Sequence, residues 1–168
     1  TEDLKKMKSA QALWQAGKSI QGTVAERYLK IHRGIQTKIP DCFRFGYYYR
    51  APVLMVAATH PLTHEIQAVQ VIYLNPKTAE KASLETNKRI IGCMKFGAHV
   101  VLQKGSSHLY VAEGPETALS VLEAAPSDTS VIATLSVSNF THLSRFNHLP
   151  KNITFCADND GPNSPPSK

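Results

Sequence analysis

The sequence has little cysteine and no long hydrophobic run, and both absences exclude classes of protein. Cys42, Cys93 and Cys156 stand far apart among 168 residues, and no Cys-x-x-Cys pair occurs. Neither a disulfide framework nor a zinc site is therefore indicated. This fits a reducing compartment, so we expect a cytoplasmic protein. No apolar run approaches the roughly 18 residues that a membrane helix needs, so we expect no membrane partner.

Acidic residues are also few, since 13 Asp and Glu stand against 19 Lys and Arg, a formal charge of +6. The excess is concentrated in residues 41–104, where eight basic residues accompany four acids. A basic surface favours a polyanionic partner, so we expect this middle segment to bind nucleic acid. The alternative is a lysine-rich face that is merely solvated.

The first part of the chain, residues 1–104, is predicted to be an α+β lobe. Two helical patterns precede alternating apolar runs, which favour a meander of antiparallel strands with a hairpin turn at residues 60–65. On the second helix, Val24, Tyr28 and Ile31 share one face. The polar segment 75–92 is predicted to be a surface excursion. The helices are expected at residues 4–16 and 21–34, and the strands at residues 43–49, 52–59 and 66–74.

From residue 105 the pattern changes, and apolar runs alternate with helical segments of about ten residues. This alternation predicts crossover connections and a mainly parallel sheet, so residues 105–168 are expected to form an α/β domain. The chain starts inside a helical pattern without an initiator Met, and it ends in the breaker-rich GPNSPPSK. We therefore expect a piece of a longer protein, with an α/β domain that is incomplete at its C-terminal end.

Carboxylates follow two of the predicted strands at the point where each strand ends. Glu113 follows the first of them, and Asp158 and Asp160 follow the last. In open α/β sheets, ligands bind in the crevice at the carboxyl ends of the strands, so we expect these acids to converge. Oxygen ligands suit Mg²⁺, and Mg²⁺ held by carboxylates serves phosphoryl-transfer chemistry.

Each of these acids also has a structural explanation. Glu113 lies at the N-terminus of the following helix, where a carboxylate complements the helix dipole. Asp158 and Asp160 would point the same way in an extended segment, but an Asp-rich turn would explain them equally. Glu116 is better explained as a complement to the dipole in the first turn than as a ligand.

Basic and aromatic residues of the first part are candidates for contacts with nucleic acid. We expect Lys88, Arg89 and Lys95 to hold a phosphate backbone or a nucleoside triphosphate, with surface solvation as the alternative. The run Tyr47–Tyr49 alternates faces in a strand, so at least one ring should be exposed and able to stack on a base. Core packing is favoured for the other rings.

The second part resembles a Toprim domain, the Mg²⁺-binding fold shared by bacterial primases and topoisomerases. The resemblance rests on Glu113-Gly114 after one strand, on ATLSVSNFTHL, and on Asp158-x-Asp160-Gly161 after another strand. It implies that Glu113 is the general acid and base, and that Asp158 and Asp160 bind Mg²⁺ or Mn²⁺. The segment ALWQAGKSIQGTVAERYLKIHRGI resembles the module that precedes Toprim in plasmid- and phage-type primases.

This resemblance implies a primase-like protein of a mobile element, fused in a longer parent chain to other domains such as those of a relaxase or helicase. Its chemistry would be Mg²⁺-dependent nucleotidyl transfer, namely RNA primer synthesis on single-stranded DNA from nucleoside triphosphates during plasmid conjugation or replication. Two alternatives stay open: a non-catalytic DNA-binding accessory domain of a conjugative relaxase, and a Toprim-type nuclease. Synthesis and cleavage need the same carboxylate and Mg²⁺ geometry. We expect this chain alone to be inactive.

Overall fold

The computed structural model describes residues 1–145 and 149–158. The helical elements are α1 (Glu2–Ala16), α2 (Val24–Arg27), a π-helical turn (Tyr28–His32), α3 (Pro115–Ala124) and a 3-10 segment (Val137–Arg145). The strands are β1 (Phe43–Tyr48), β2 (Ala51–Thr59), β3 (Ile66–Tyr73), β4 (Lys88–Gly92), β5 (Val100–Gln103), β6 (Leu109–Ala112), β7 (Ser130–Ala133) and β8 (Ile153–Cys156).

The first sheet has the order β1-β2-β3-β4, and all of its neighbouring strands are antiparallel. This confirms the predicted antiparallel meander. The prediction that residues 75–92 form an irregular excursion is wrong at its end, because β4 pairs with β3 from Ile72↔Lys88 to Ala68↔Gly92. As an edge strand, β4 is paired on one side and keeps exposed residues, so its sequence lacks the strong apolar pattern that marks a central strand.

The second helix departs from a regular α-helix at Tyr28, where the π-helical turn begins. The Arg33 N–H donates to the Tyr28 carbonyl five residues earlier, at 3.0 Å. The wider turn shifts the buried face by about one residue. Tyr28 and Leu29 are therefore buried, whereas Ile31, predicted to share the apolar face, is 69% exposed.

The second sheet has the order β5-β7-β6-β8. The central strand β6 is parallel to both β7 and β8, and β5 is antiparallel to β7. This confirms a mixed sheet with mostly parallel strands. Although β5 precedes the division predicted after residue 104, it belongs to this sheet. Since β7 and β8 flank β6 on opposite sides, the chain leaves a crevice at the carboxyl end of β6.

One continuous apolar core joins the two sheets. Helix α1 covers one face of the first sheet through Ala10 and Trp14, and the opposite face packs towards the second sheet and α3. The side chains shared by this central core include Leu54, Ile72, Val100, Leu119 and Val131. In the described part of the chain, no helix is both long enough and apolar enough to cross a membrane.

Candidate functional site

The parallel pairing of β6 and β8 brings two predicted site segments side by side. Ala112 pairs with Cys156, so Glu113-Gly114 and Ala157-Asp158 leave the sheet at the same edge. A Cβ placed on Gly114 would lie 3.8 Å from the Asp158 Oδ2 atom and 3.6 Å from the Glu116 Oε2 atom. Glycine therefore leaves open a space between two carboxylates, which a larger side chain would fill.

Helix α3 orients Asp158 through its first turn. The Thr117 hydroxyl donates a hydrogen bond to the Asp158 Oδ1 atom, which leaves the Oδ2 atom directed towards Gly114. Glu113 is half-buried, and its carbonyl accepts the Leu135 N–H at 2.8 Å, which ties the end of β6 to the segment after β7. Asp160, the second aspartate of the predicted pair, lies outside the described residues.

Glu116 makes contacts that the sequence did not predict. It lies in the first turn of α3, as expected for a dipole complement, but only 3% of it is exposed. Its Oε2 atom lies 3.0 Å from the Lys88 Nζ atom, and its Oε1 atom lies 3.4 Å from the Lys81 Nζ atom. The Tyr28 hydroxyl donates to Oε1 at 3.0 Å. Three side chains of the first part thus converge on one carboxylate of the second.

The charges of this cluster set its protonation states. Burial by itself raises the pKa of Glu116, but the ammonium groups of Lys88 and Lys81 outweigh it and lower that pKa to about 2. Burial lowers the pKa of Lys81, although Glu116 opposes the change. Burial and the neighbouring Glu116 carboxylate raise the pKa of Tyr28, so its hydroxyl is a neutral donor. Glu116 is therefore ionised at neutral pH beside two lysines.

A polar cleft of about 430 Å³ lies between this cluster and the end of β8. Cationic side chains line it from the first part of the chain, and Asp158 lines it from the second. The lining residues are Arg33, Lys81, Lys88, Glu116, Thr117, Ala157 and Asp158. The cleft therefore sets phosphate-binding groups opposite a carboxylate at a strand end, an arrangement suited to a ligand that carries both phosphate and a divalent cation.

The structure separates the three basic residues that the sequence grouped together. Lys88 reaches the cleft, but Arg89 follows it on β4 and therefore faces the opposite side of the sheet. The Lys95 Nζ atom lies 3.1 Å from the Asp3 Oδ2 atom at the start of α1, away from the cleft. Lys81 was not singled out by the sequence, since it lies in an irregular segment that an isolated bridge with Leu74 holds in place.

The carboxylates at this edge fit a hard divalent cation in kind, because Mg²⁺ accepts one or two carboxylates and keeps several waters. Glu113 and Asp158 follow the neighbouring strands β6 and β8, which places both residues at this edge of the sheet. Within residues 1–145 and 149–158, however, no group of three or more His, Cys, Asp or Glu side chains could hold a metal ion.

Comparison with protein families gave two matches, one for each end of the chain. Residues 4–102 match the family described as a domain of unknown function (DUF7146), and residues 108–167 match the Toprim domain. Neither curated proteins nor solved structures gave a match. The second match confirms the resemblance of the second part of the chain to a Toprim domain. Toprim domains typically bind divalent metals, so the match indicates a metal-dependent function related to nucleic acids.

Proposed function

We propose that this chain, which belongs to the DUF7146 family and carries a Toprim domain after it, takes part in metal-dependent nucleotidyl transfer on single-stranded DNA. In its more specific form, the proposal is RNA primer synthesis by a primase-like protein of a mobile element, during plasmid conjugation or replication. The observation that carries it is the cleft in which Lys81 and Lys88 stand opposite Asp158.

The roles of the residues follow from their chemistry. Lys81, Lys88 and Arg33 would bind the phosphates of an incoming nucleoside triphosphate. Asp158, with Asp160, would hold Mg²⁺ or Mn²⁺, which when bound neutralises charge on those phosphates.

Glu113 would accept the proton from the oxygen of the attacking 3′-hydroxyl group, as a general base. Its position at the end of β6, next to Gly114, supports this role, because the glycine leaves room for a phosphate to approach the backbone.

A non-catalytic DNA-binding accessory role is the second candidate. The observation that favours it is that Glu116 already pairs with both Lys81 and Lys88, so that part of the positive charge in the cleft is neutralised within the protein. In that case the cluster would hold the two parts of the chain together without binding a nucleotide.

Binding of a nucleoside triphosphate in the presence of Mn²⁺ separates these candidates. We would remove the ion pair between Lys88 and Glu116 with Lys88→Ala/Glu116→Ala, which leaves Lys81 in the cleft without its carboxylate partner. We expect about tenfold weaker ATP binding by calorimetry, because a charge-assisted phosphate contact is lost. Lys95→Ala/Asp3→Ala removes a surface ion pair outside the cleft and is the matched control. Equal losses in both variants would contradict the assignment.

Products on a labelled DNA strand separate synthesis from cleavage. The full-length protein is assayed with ribonucleoside triphosphates and Mn²⁺: newly made RNA supports nucleotidyl transfer, whereas a shortened strand indicates the nuclease. Glu113→Gln should abolish the product while nucleotide affinity stays within about twofold of wild type, since the amide cannot accept a proton. Wild-type product levels from this variant would remove Glu113 from the mechanism. The absence of both product and nucleotide binding in wild type would favour the accessory role.

A further inference from the structure

The hairpin between β1 and β2 has an unusual turn. Tyr48 pairs with Ala51, so the loop consists of Tyr49 and Arg50 alone. Both residues have positive φ, at 47° and 67°. A two-residue loop of this kind is a type I′ turn, which strongly favours Asn-Gly because the left-handed region brings Cβ close to the following carbonyl oxygen, a contact that Gly avoids and Asn tolerates. The turn therefore carries strain that a different pair of residues would avoid.

Packing does not offset this strain. Tyr49 is 87% exposed, and its ring meets the Tyr48 ring edge-on with centroids 4.7 Å apart. The Tyr48 ring in turn lies 6.4 Å from the Tyr73 ring. The three rings form a cluster at one edge of the first sheet, and the outermost ring is open to solvent, as the run of tyrosines predicts. Strain that burial does not offset is a feature of functional positions.

The charges around this cluster are positive. Arg89 lies close enough to the Tyr48 hydroxyl to oppose the rise in its pKa that burial causes. In the described part of the chain, neither Arg50 nor Arg89 forms an ion pair with a carboxylate. The acids at the start of the adjacent helix are already paired, Glu2 with Lys6 and Asp3 with Lys95. The two arginines therefore offer charge to an anionic partner.

A groove continues from the rings towards α1, and its apolar lining residues include Leu13, Ile90 and Ile91. Its polar residues are engaged: Lys6 pairs with Glu2 at 2.9 Å, and the Ser9 hydroxyl donates to a backbone carbonyl at 3.1 Å. The groove therefore offers apolar surface beside these rings to a single strand that leaves the Tyr49 ring.

We propose that these side chains, which we call the tyrosine–arginine patch (Tyr48, Tyr49, Tyr73, Arg50 and Arg89), bind single-stranded DNA. An unpaired base stacks on the exposed Tyr49 ring, and the two arginines contact flanking phosphates. The proposal rests on the proposed function, which requires a DNA strand near the cleft. Lys88 and Arg89 face opposite sides of β4, which is the edge strand of the first sheet. A DNA strand bound at the patch therefore reaches the cleft by passing over β4.

The test replaces the strained turn with the sequence that the turn prefers, by the double substitution Tyr49→Asn/Arg50→Gly. Relief of strain should raise the unfolding temperature, whereas loss of the ring and one charge should weaken DNA binding about tenfold or more. If Tyr49 only served the structure of the turn, the double substitution would change the unfolding temperature and the DNA affinity in the same direction. Binding is measured without metal, at low salt, by fluorescence anisotropy of a labelled 12-nucleotide oligo(dT).

Matched variants locate the effect. Tyr49→Phe keeps the ring and should bind within about twofold of wild type. Tyr47→Ala removes a ring that is also exposed, 62%, but packs beside Phe45 on the other face, and it should bind like wild type. Arg89→Gln should reduce the slope of log affinity against log salt by about one.

Several results would overturn the proposal. These are wild-type affinity in the Tyr49→Asn/Arg50→Gly variant, an equal loss in Tyr47→Ala, or tighter binding of oligo(U) than of oligo(dT). Sedimentation that shows a wild-type dimer and a monomeric variant would make a second copy of the chain the occupant instead. DNA binding and ATP binding that are both normal in wild type and in the Tyr49→Asn/Arg50→Gly variant would refute the patch alone. Loss of ATP binding with intact DNA binding would refute the proposed function of the cleft alone.

Discussion

Glu116 provides the sharpest test of the cleft, because its charge is buried between two cations. Glu116→Gln keeps the shape of the side chain and removes its charge. The Tyr28 hydroxyl still finds an acceptor in the amide oxygen, but Lys81 and Lys88 lose their common counter-charge. The substitution should therefore lower the free energy of unfolding at neutral pH, since removing one partner of a buried ion pair leaves charge uncompensated.

The size of the effect follows from the pKa of Glu116, which falls from an ordinary value of 4.5 to about 2 in the folded protein. At 1.36 kcal/mol for each pKa unit, the ionised carboxylate contributes roughly 3 kcal/mol to the free energy of unfolding. This figure is an upper bound for the whole cluster. Burial lowers the pKa of Lys81, which means that keeping the Lys81 charge beside Glu116 costs free energy. The contact between the Lys88 Nζ atom and the Glu116 Oε2 atom is the shorter of the two, at 3.0 Å, and accounts for most of this stabilisation.

The sign of the pH dependence is fixed by the direction of the shift. The folded pKa lies below the unfolded one, so the contribution is fully present above about pH 5 and is lost as the pH falls towards 2. Urea unfolding of wild type and Glu116→Gln at pH 7, 5, 4 and 3 measures this directly. The difference between the two proteins should shrink steadily below pH 5.

A difference that stays constant from pH 7 to pH 3 would refute the reasoning, because the stabilisation would then not come from the charge of Glu116. Asp3→Asn provides the control, since it removes the carboxylate of the surface ion pair with Lys95. Exposed pairs contribute about 0–1 kcal/mol, so this variant should lose far less stability than Glu116→Gln.

Two further predictions concern the metal and the edge strand. Asp158→Asn should weaken Mn²⁺ binding by at least tenfold in calorimetry, and an unchanged affinity would exclude this residue as a ligand. Gly92→Ala should lower the free energy of unfolding by more than about 2 kcal/mol, because its φ is +112° and a Cβ would lie 2.2 Å from the Gln67 carbonyl oxygen. Gly22→Ala, at φ +74° with open space around it, should cost about 1 kcal/mol, and equal losses would show that the contact with Gln67 is relieved.

Most of the strands were predictable, because apolar runs in the sequence mark them. Strands β1 to β3 and β6 to β8 follow apolar runs, and alternation with helical segments indicated the parallel pairing of β6 with β7 and β8. Strand β4 escaped prediction because an edge strand needs little apolar sequence. The exposure of Ile31 escaped it because a π-helical turn changes the period on which the predicted face depends.

The candidate site was predictable only in part, for a related reason. Glu113 and Asp158 were found because strand ends are visible in the sequence. The pairing of Glu116 with Lys88 depends on a contact between the two sheets that no local pattern encodes. One signal was present: Glu116 lies three residues before the buried Leu119, on the inward face of α3, where a carboxylate is unfavourable without partners.

The division of the cleft between two parts of the chain bears on what the DUF7146 residues do. The carboxylate edge of the Toprim domain contributes Asp158, but the lysines that face it belong to residues 4–102. The same interface carries the central apolar core, so the spacing of the lysines and Asp158 is set by packing as well as by Glu116. A Toprim domain without the preceding residues would keep its carboxylates but lose these lysines and expose part of its core. Both parts are therefore needed to form the cleft.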